Sequence, residues 1–284
     1  MKTPIILCAD DYALTPGISR GIRELASLRR LSATSVMTVS PYWETEGRIL
    51  RDLAPSLGER FTIGLHFTLT DLKPLTNMIN LAPDGTFPKL TNLLGRALMR
   101  RIFADEIAQE LNAQLDRFEA VMGAPPRYLD GHHHVHQLPI VRDVVLAVAR
   151  QRLSPDIFFR FCDEPALEIV RRGVSVPRAI IIAQLGRKFA ALARAAGLRG
   201  NTGFRGVRDF SAAENVARMF AAYLTDPQAN MMIMCHPGID GPAPGIDDEI
   251  HARRPDELAF LKSDAFADLI ESRNVTLIAP GIAS

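Results

Sequence analysis

Short apolar runs alternate with segments of helical periodicity from the N-terminus onward. Residues 5–9 are wholly apolar, as in a parallel strand buried on both faces. After Asp10 and Asp11 comes a loop with Pro16 and Gly17. Ile18, Ile22, Leu25 and Leu28 then recur at helical spacing, and 33–39 is again apolar and strand-like. Further strands are predicted at 61–65, 127–130, 157–161, 201–204, 231–235 and 275–278. The intervening helices are predicted at 104–122, 141–152, 179–196, 211–224 and 255–271. Ser211 reads as an N-cap, with Glu214 three residues on completing a capping box.

About eight strands alternating with helices predict an α/β fold: a distorted, TIM-like (β/α) barrel of seven or eight mostly parallel strands. An open doubly wound sheet is the main rival. Two stretches break the rhythm. Residues 67–92 are rich in Thr, Pro and Asn, and 237–254 are rich in Pro, Gly and Asp; long loops in a compact domain are usually functional or disordered. With no internal repeat and no shift in composition, residues 1–284 read as a single domain.

Composition narrows the function by exclusion. The 47% apolar content supplies a sizeable core, and 33 basic against 32 acidic residues leave a formal charge of +1. That balance gives no reason to expect a nucleic-acid or anionic-membrane partner. Cys8, Cys162 and Cys235 sit in or beside apolar runs, which suggests buried thiols in a reducing compartment. The N-terminus lacks the pattern of a signal peptide, and no apolar stretch approaches the ~18 residues of a membrane span. A cytoplasmic protein is expected, and a homodimer is compatible with the sequence.

The chemistry concentrates at predicted strand ends. Six of the seven histidines (His66, His132, His133, His134, His136 and His236) follow a predicted strand, as do Asp10 and Asp11; His251 lies in a polar loop. In a barrel, such residues share one mouth. A lone Asp-Asp pair is more often a cap or turn. Adjacent carboxylates can also divide the work of metal binding and proton transfer. The cluster LDGHHHVH at 129–136 reads as a metal or acid-base site. On an extended segment, His132, His134 and His136 would share a face. His236 ends an apolar strand and precedes a Pro-Gly turn. Asp130 is placed to orient a ligand or His236 from behind. No GxGxxG, Walker-type loop or GxSxG elbow occurs, so nucleotide cofactors and a serine nucleophile have no support.

The stretches CADDYALTPGISRGI, IGLHFTLTDLKPLT, YLDGHHHVHQLP and MCHPGID resemble the YdjC-like carbohydrate deacetylases, in order from residue 8 to about 240. The resemblance implies a distorted (β/α) barrel, one divalent metal ion (magnesium) and hydrolysis of an N-acetyl group on an amino sugar or chitooligosaccharide. It implies Asp11, His66 and His132 as metal ligands, Asp10 as general base and His236 as general acid, with Arg160 orienting base or substrate. His134 and Tyr12 are further candidates around the substrate. Tyr12-Ala13 stands where the family usually has Phe-Gly, and the added hydroxyl of Tyr12 is expected near the sugar. Two imidazoles and a carboxylate suit zinc or another transition ion at least as well as magnesium. The alternatives are a two-metal amidohydrolase or phosphoesterase, drawing on His134 and His136, and a non-catalytic sugar-binding protein.

Overall fold

The computed structural model describes residues 1–282 other than 212, 240 and 242. Its first half runs β1 (Thr3–Tyr12), α1 (Pro16–Ser27), β2 (Ala33–Val36), α2 (Trp43–Leu57), β3 (Thr62–Phe67), α3 (Leu90–Leu98), α4 (Ala104–Met122) and β4 (Tyr128–Gly131). Then follow α5 (Val141–Arg152), β5 (Phe158–Phe159), α6 (Ala166–Arg172), α7 (Val176–Ala195), β6 (Arg199–Gly200) and β7 (Phe204–Arg205). The chain ends with α8 (Val216–Tyr223), β8 (Met231–Cys235), α9 (Arg254–Lys262), α10 (Asp264–Ser272) and β9 (Val275–Leu277).

The strands form one curled sheet in the order β6-β5-β4-β3-β2-β1-β8-β7, with β9 beside the start of β1. Every pairing is parallel. This is the expected TIM-like α/β architecture. Ile5 to Ala9 are buried on both faces, which is why that run carries no polar alternation.

The two ends of the sheet meet in one short segment. β6 pairs with β5, and three residues later β7 pairs with β8. Asn201 takes over where the ladder changes partner. Its Oδ1 accepts from Phe161 N at 2.8 Å, and its Nδ2 donates to Phe161 O at 2.7 Å and Gly203 O at 2.8 Å. Gly206 follows at φ +108, where a Cβ would stand 2.2 Å from Met234 O. Only glycine lets the chain leave β7 there.

Several expectations are corrected. Helices α2, α3 and α6 lie in stretches for which no helix is predicted. In α2, Trp43, Glu46, Gly47, Leu50 and Leu57 are buried, so polar residues hide a helical stripe. The capping box at Ser211 does not form. α8 begins at Val216 with Asn215 accepting from Arg218 N, and Glu214 instead accepts N–H bonds from Asp209 and Phe210. The single helix expected at 255–271 is broken because Ser263 caps a new one through Phe266 N. Among the described residues, no helix is long and apolar enough to cross a membrane.

Candidate active site

The geometry begins with a bulge at the end of β1. Cys8 and Ala9 stand opposite Ala33 and Thr34, but Tyr12 stands opposite Val36, so β1 carries one residue more than its partner. Asp11 occupies that irregularity at φ +66, a left-handed conformation that Asp tolerates better than most residues. In a regular strand, neighbouring side chains face opposite sides of the sheet. The bulge re-aims one of them, so Asp10 and Asp11 both line a cleft of about 350 Å³ at the C-terminal strand ends.

Asp11 meets two imidazoles there. Its Oδ1 lies 3.0 Å from His132 Nδ1 and 3.4 Å from His66 Nε2. The other oxygen accepts from Arg254 Nη2 at 2.7 Å. His66 is oriented from behind: Nδ1 is 2.6 Å from Asp130 Oδ1 and 3.0 Å from Ser35 Oγ. With Nδ1–H given to Asp130, the Nε2 lone pair points at a carboxylate oxygen. Something positive is required between them, either a proton or a cation. In the protein alone, burial opposes the imidazolium, but Asp130 and Asp11 outweigh it and push the His66 pKa up to about 10. Burial likewise works against the Asp11 carboxylate, yet Arg254 and His132 hold its pKa well below the usual range. The three donor atoms lie within 4.8 Å of one another, so Asp11, His66 and His132 can hold one divalent ion.

Behind this trio is a second buried system. Arg160 is fully buried, and its two Nη atoms donate to the two oxygens of Asp10, each at 2.6 Å. Nη2 also lies 2.6 Å from Asp130 Oδ2, which accepts from Tyr128 OH at 2.6 Å. Tyr128 can lie there because Gly64 has no side chain: a Cβ would come within 2.1 Å of the Tyr128 ring. Arg160 therefore ties Asp10 to Asp130, and Asp130 ties that pair to His66. His236 enters from the end of β8, its Nε2 3.9 Å from Asp10 Oδ2. Its backbone N–H is held by Glu257, and burial lowers its pKa.

The histidine cluster is not extended. His132–Gln137 form a 3-10 turn in which His133 and His134 adopt φ +52 and +58, so the expected shared face of His132, His134 and His136 does not exist. His132 alone meets Asp11. His133 turns to Thr70 Oγ1 at 2.9 Å, His134 to Cys162 Sγ at 3.6 Å, and His136 donates through Nε2 to Arg160 O at 3.1 Å. Among the described residues, neither His134 nor His136 belongs to a group of side chains placed to hold a metal ion. Tyr12 is also corrected: its hydroxyl donates to Glu46 O at 2.8 Å and accepts from Arg23 at 2.7 Å, away from the cleft.

His136 gives the fold a pH dependence. Burial and Arg160 disfavour its charged form, and its pKa falls to about 4. The unfolded chain takes up this proton near pH 6.5, the folded one only near 4, so stability is lost as pH falls through that window. The loss is on the order of 3 kcal/mol for this residue alone. His136→Gln, which keeps a donor to Arg160 O, is expected to flatten the slope in urea titrations at about pH 6.5 and 4.5.

Arg254, Asp248, Glu257 and Ser35 carry no sequence signal, yet they support the site. Arg254 is buried; besides Asp11 it grips Asp248 through Nε at 2.7 Å and Nη2 at 3.0 Å. By occupying Asp11 Oδ2, it leaves Oδ1 for a ligand. Arg254→Gln is expected to weaken divalent-metal affinity by about 10–100-fold, the usual size for a residue supporting a ligand. Calorimetric titration of the metal-free variant measures this, and an unchanged Kd would remove Arg254 from the site.

Curled sheet, strand-end carboxylates and paired imidazoles together define a TIM-like α/β protein with an Asp-His-His cluster that could hold a metal ion. A model of the family described as YdjC-like protein matches residues 4–272, and the chain belongs to that family. A chitooligosaccharide deacetylase of Yersinia pestis bv. Antiqua (strain Angola) is 38% identical over 165 residues, 55% of this chain and 59% of that protein. Its counterpart in Yersinia pestis (strain Pestoides F) is 36% identical over 163 residues, with the same shares. The match thus spans less than two thirds of these relatives. Among solved structures, a protein of Enterococcus faecalis V583 named for cellobiose-phosphate cleavage aligns over 98% of both chains with a TM-score of 0.70 at 20% identity. A lactam utilization protein of Thermus thermophilus aligns over 98% of this chain and 100% of that one, with a TM-score of 0.50 at 15% identity. Both are likenesses of fold.

Proposed function

We propose that the chain is a metal-dependent hydrolase that removes the N-acetyl group of an amino sugar or chitooligosaccharide and releases acetate. One observation carries the reading: Asp11, His66 and His132 converge on one point in the cleft that Asp10 and His236 also line. The names of the relatives supply the substrate class.

A divalent ion held by Asp11, His66 and His132 would lower the pKa of a bound water and polarise the acetyl oxygen. Asp10, clamped by Arg160, accepts the proton of the attacking water. The C–N bond breaks with its electron pair on nitrogen, and His236 protonates that amine. In this reading the proton that Asp10 takes from water passes to His236 and replenishes the one given away; the 3.9 Å between His236 Nε2 and Asp10 Oδ2 is consistent with such a transfer. Acetate and the free amine leave, with Asp10 and His236 restored. Magnesium follows from the family resemblance, whereas two imidazoles and one carboxylate favour zinc or a related ion.

The test is acetate release from N-acetylglucosamine and its β-1,4-linked oligomers, with Mg²⁺, Zn²⁺ or Co²⁺ supplied in turn and metal content measured. Release by a protein carrying one ion per chain is the expected result. No release from any N-acetylated sugar with any of these ions overturns the proposal.

A further inference from the structure

The cleft that reaches Asp10 and Asp11 is walled mainly by hydrocarbon. Ile181, Ile182 and Leu185 of α7 line it, with Leu90 and Leu94 of α3 and Leu72 of the intervening loop. Sugars present hydroxyl and acetamide groups that need hydrogen-bond partners once buried, and their ring faces stack on aromatic side chains. These six side chains supply neither, and the polar partners for the sugar are left to lining residues such as Asp71, Lys89, Gln137, Arg178 and Asp248. Phe210 is the one Phe, Tyr or Trp among the described lining residues. Its face is taken by the Arg208 guanidinium, 4.7 Å from the ring centroid, and it meets His236 edge-on at 5.4 Å. The apolar wall reaches solvent at Ile181, which is 56% exposed. An exposed apolar side chain at the rim of a site fits a binding surface better than an isolated one elsewhere.

From this lining we infer that the substrate is an amphiphile: an N-acetylated sugar bearing a hydrocarbon arm, which lies along α7 and α3 while the acetamide reaches Asp10 and His236. The wall and the reaction centre belong to one cleft, so the molecule that fills one touches the other. That continuity favours an arm of the substrate over a separate partner. The inference rests on the hydrolase reading and adds the substrate's second half.

The test compares methyl, butyl and octyl β-glycosides of N-acetylglucosamine, all below their micelle concentrations, in acetate release and in calorimetric binding to the metal-loaded protein. Octyl over methyl is expected to raise kcat/KM and tighten Kd by at least about tenfold, since burying two or three methylenes is worth that much. Ile181→Asn, at an exposed position that folding tolerates, and Leu185→Asn are each expected to shrink the octyl-to-methyl ratio toward one. Equal Kd across the series, or tighter binding of diacetylchitobiose than of the octyl glycoside, overturns the inference while leaving the hydrolase intact. Octyl preference in binding without acetate release from any sugar sinks the hydrolase reading and keeps the arm. Sedimentation of the protein with phosphatidylcholine vesicles without glycoside would assign the wall to a membrane surface, and also overturns it.

Discussion

Asp11→Ala is expected to leave a folded protein that takes up no divalent metal and releases no acetate, whereas Asp10→Asn is expected to keep the metal and lose turnover. The two carboxylates are neighbours in sequence but occupy different electrostatic positions. Asp11 Oδ1 is the only anionic donor of the trio and stands against both imidazoles. Without it, two neutral histidines remain, and affinity should fall by at least about a thousandfold for ions that prefer charged oxygen. Asp10 lines the same cleft, but its two oxygens are spanned by Arg160. An amide there accepts one of those bonds and cannot take a proton from water, which should lower kcat by roughly 10²–10⁴-fold. Metal content by atomic absorption and single-turnover kinetics separate the two effects. If Asp10→Asn loses the metal and Asp11→Ala keeps it, the roles are reversed.

The second large effect is on stability. Arg160→Met should cost about 3–5 kcal/mol, because it strands the buried carboxylates of Asp10 and Asp130 without their shared cation. At this chain length that is a fall in Tm of roughly 5–8 °C. Arg160→Lys keeps the charge but not the fork that reaches both oxygens of Asp10 and one of Asp130. It should recover part of the stability and little of the turnover. Equal Tm for the parent and the methionine variant would mean that the two carboxylates hold each other's proton instead.

What the sequence made legible follows from range. The strands of the sheet announce themselves as apolar runs, because burial on both faces is a local demand on composition. Asp10, Asp11, His66, His132 and His236 stand out because each ends such a run. Arg254 could not be found this way: it meets Asp11 across 243 positions, and nothing nearby marks it. The turn at His132–Gln137 was hidden for another reason. Left-handed backbone at His133 and His134 breaks the extended run, and the two rings meet different partners, Thr70 and Cys162. The misplaced cap of α8 shows propensity yielding to competition, since Glu214 finds better donors in Asp209 and Phe210 than in its own helix.

The pairing of β1 with β8 also has a consequence in time. Ile5 finds its partner in Met231, and Ala9 in Cys235. A ribosome adding about 5–20 residues per second needs tens of seconds to make that partner after β1 has emerged. Throughout that interval one edge of the apolar stretch 5–9 stands open, a template for pairing between nascent chains. Yield from a cell is therefore expected to depend on how quickly the last quarter is made, and on whatever shields residues 5–9 until it arrives.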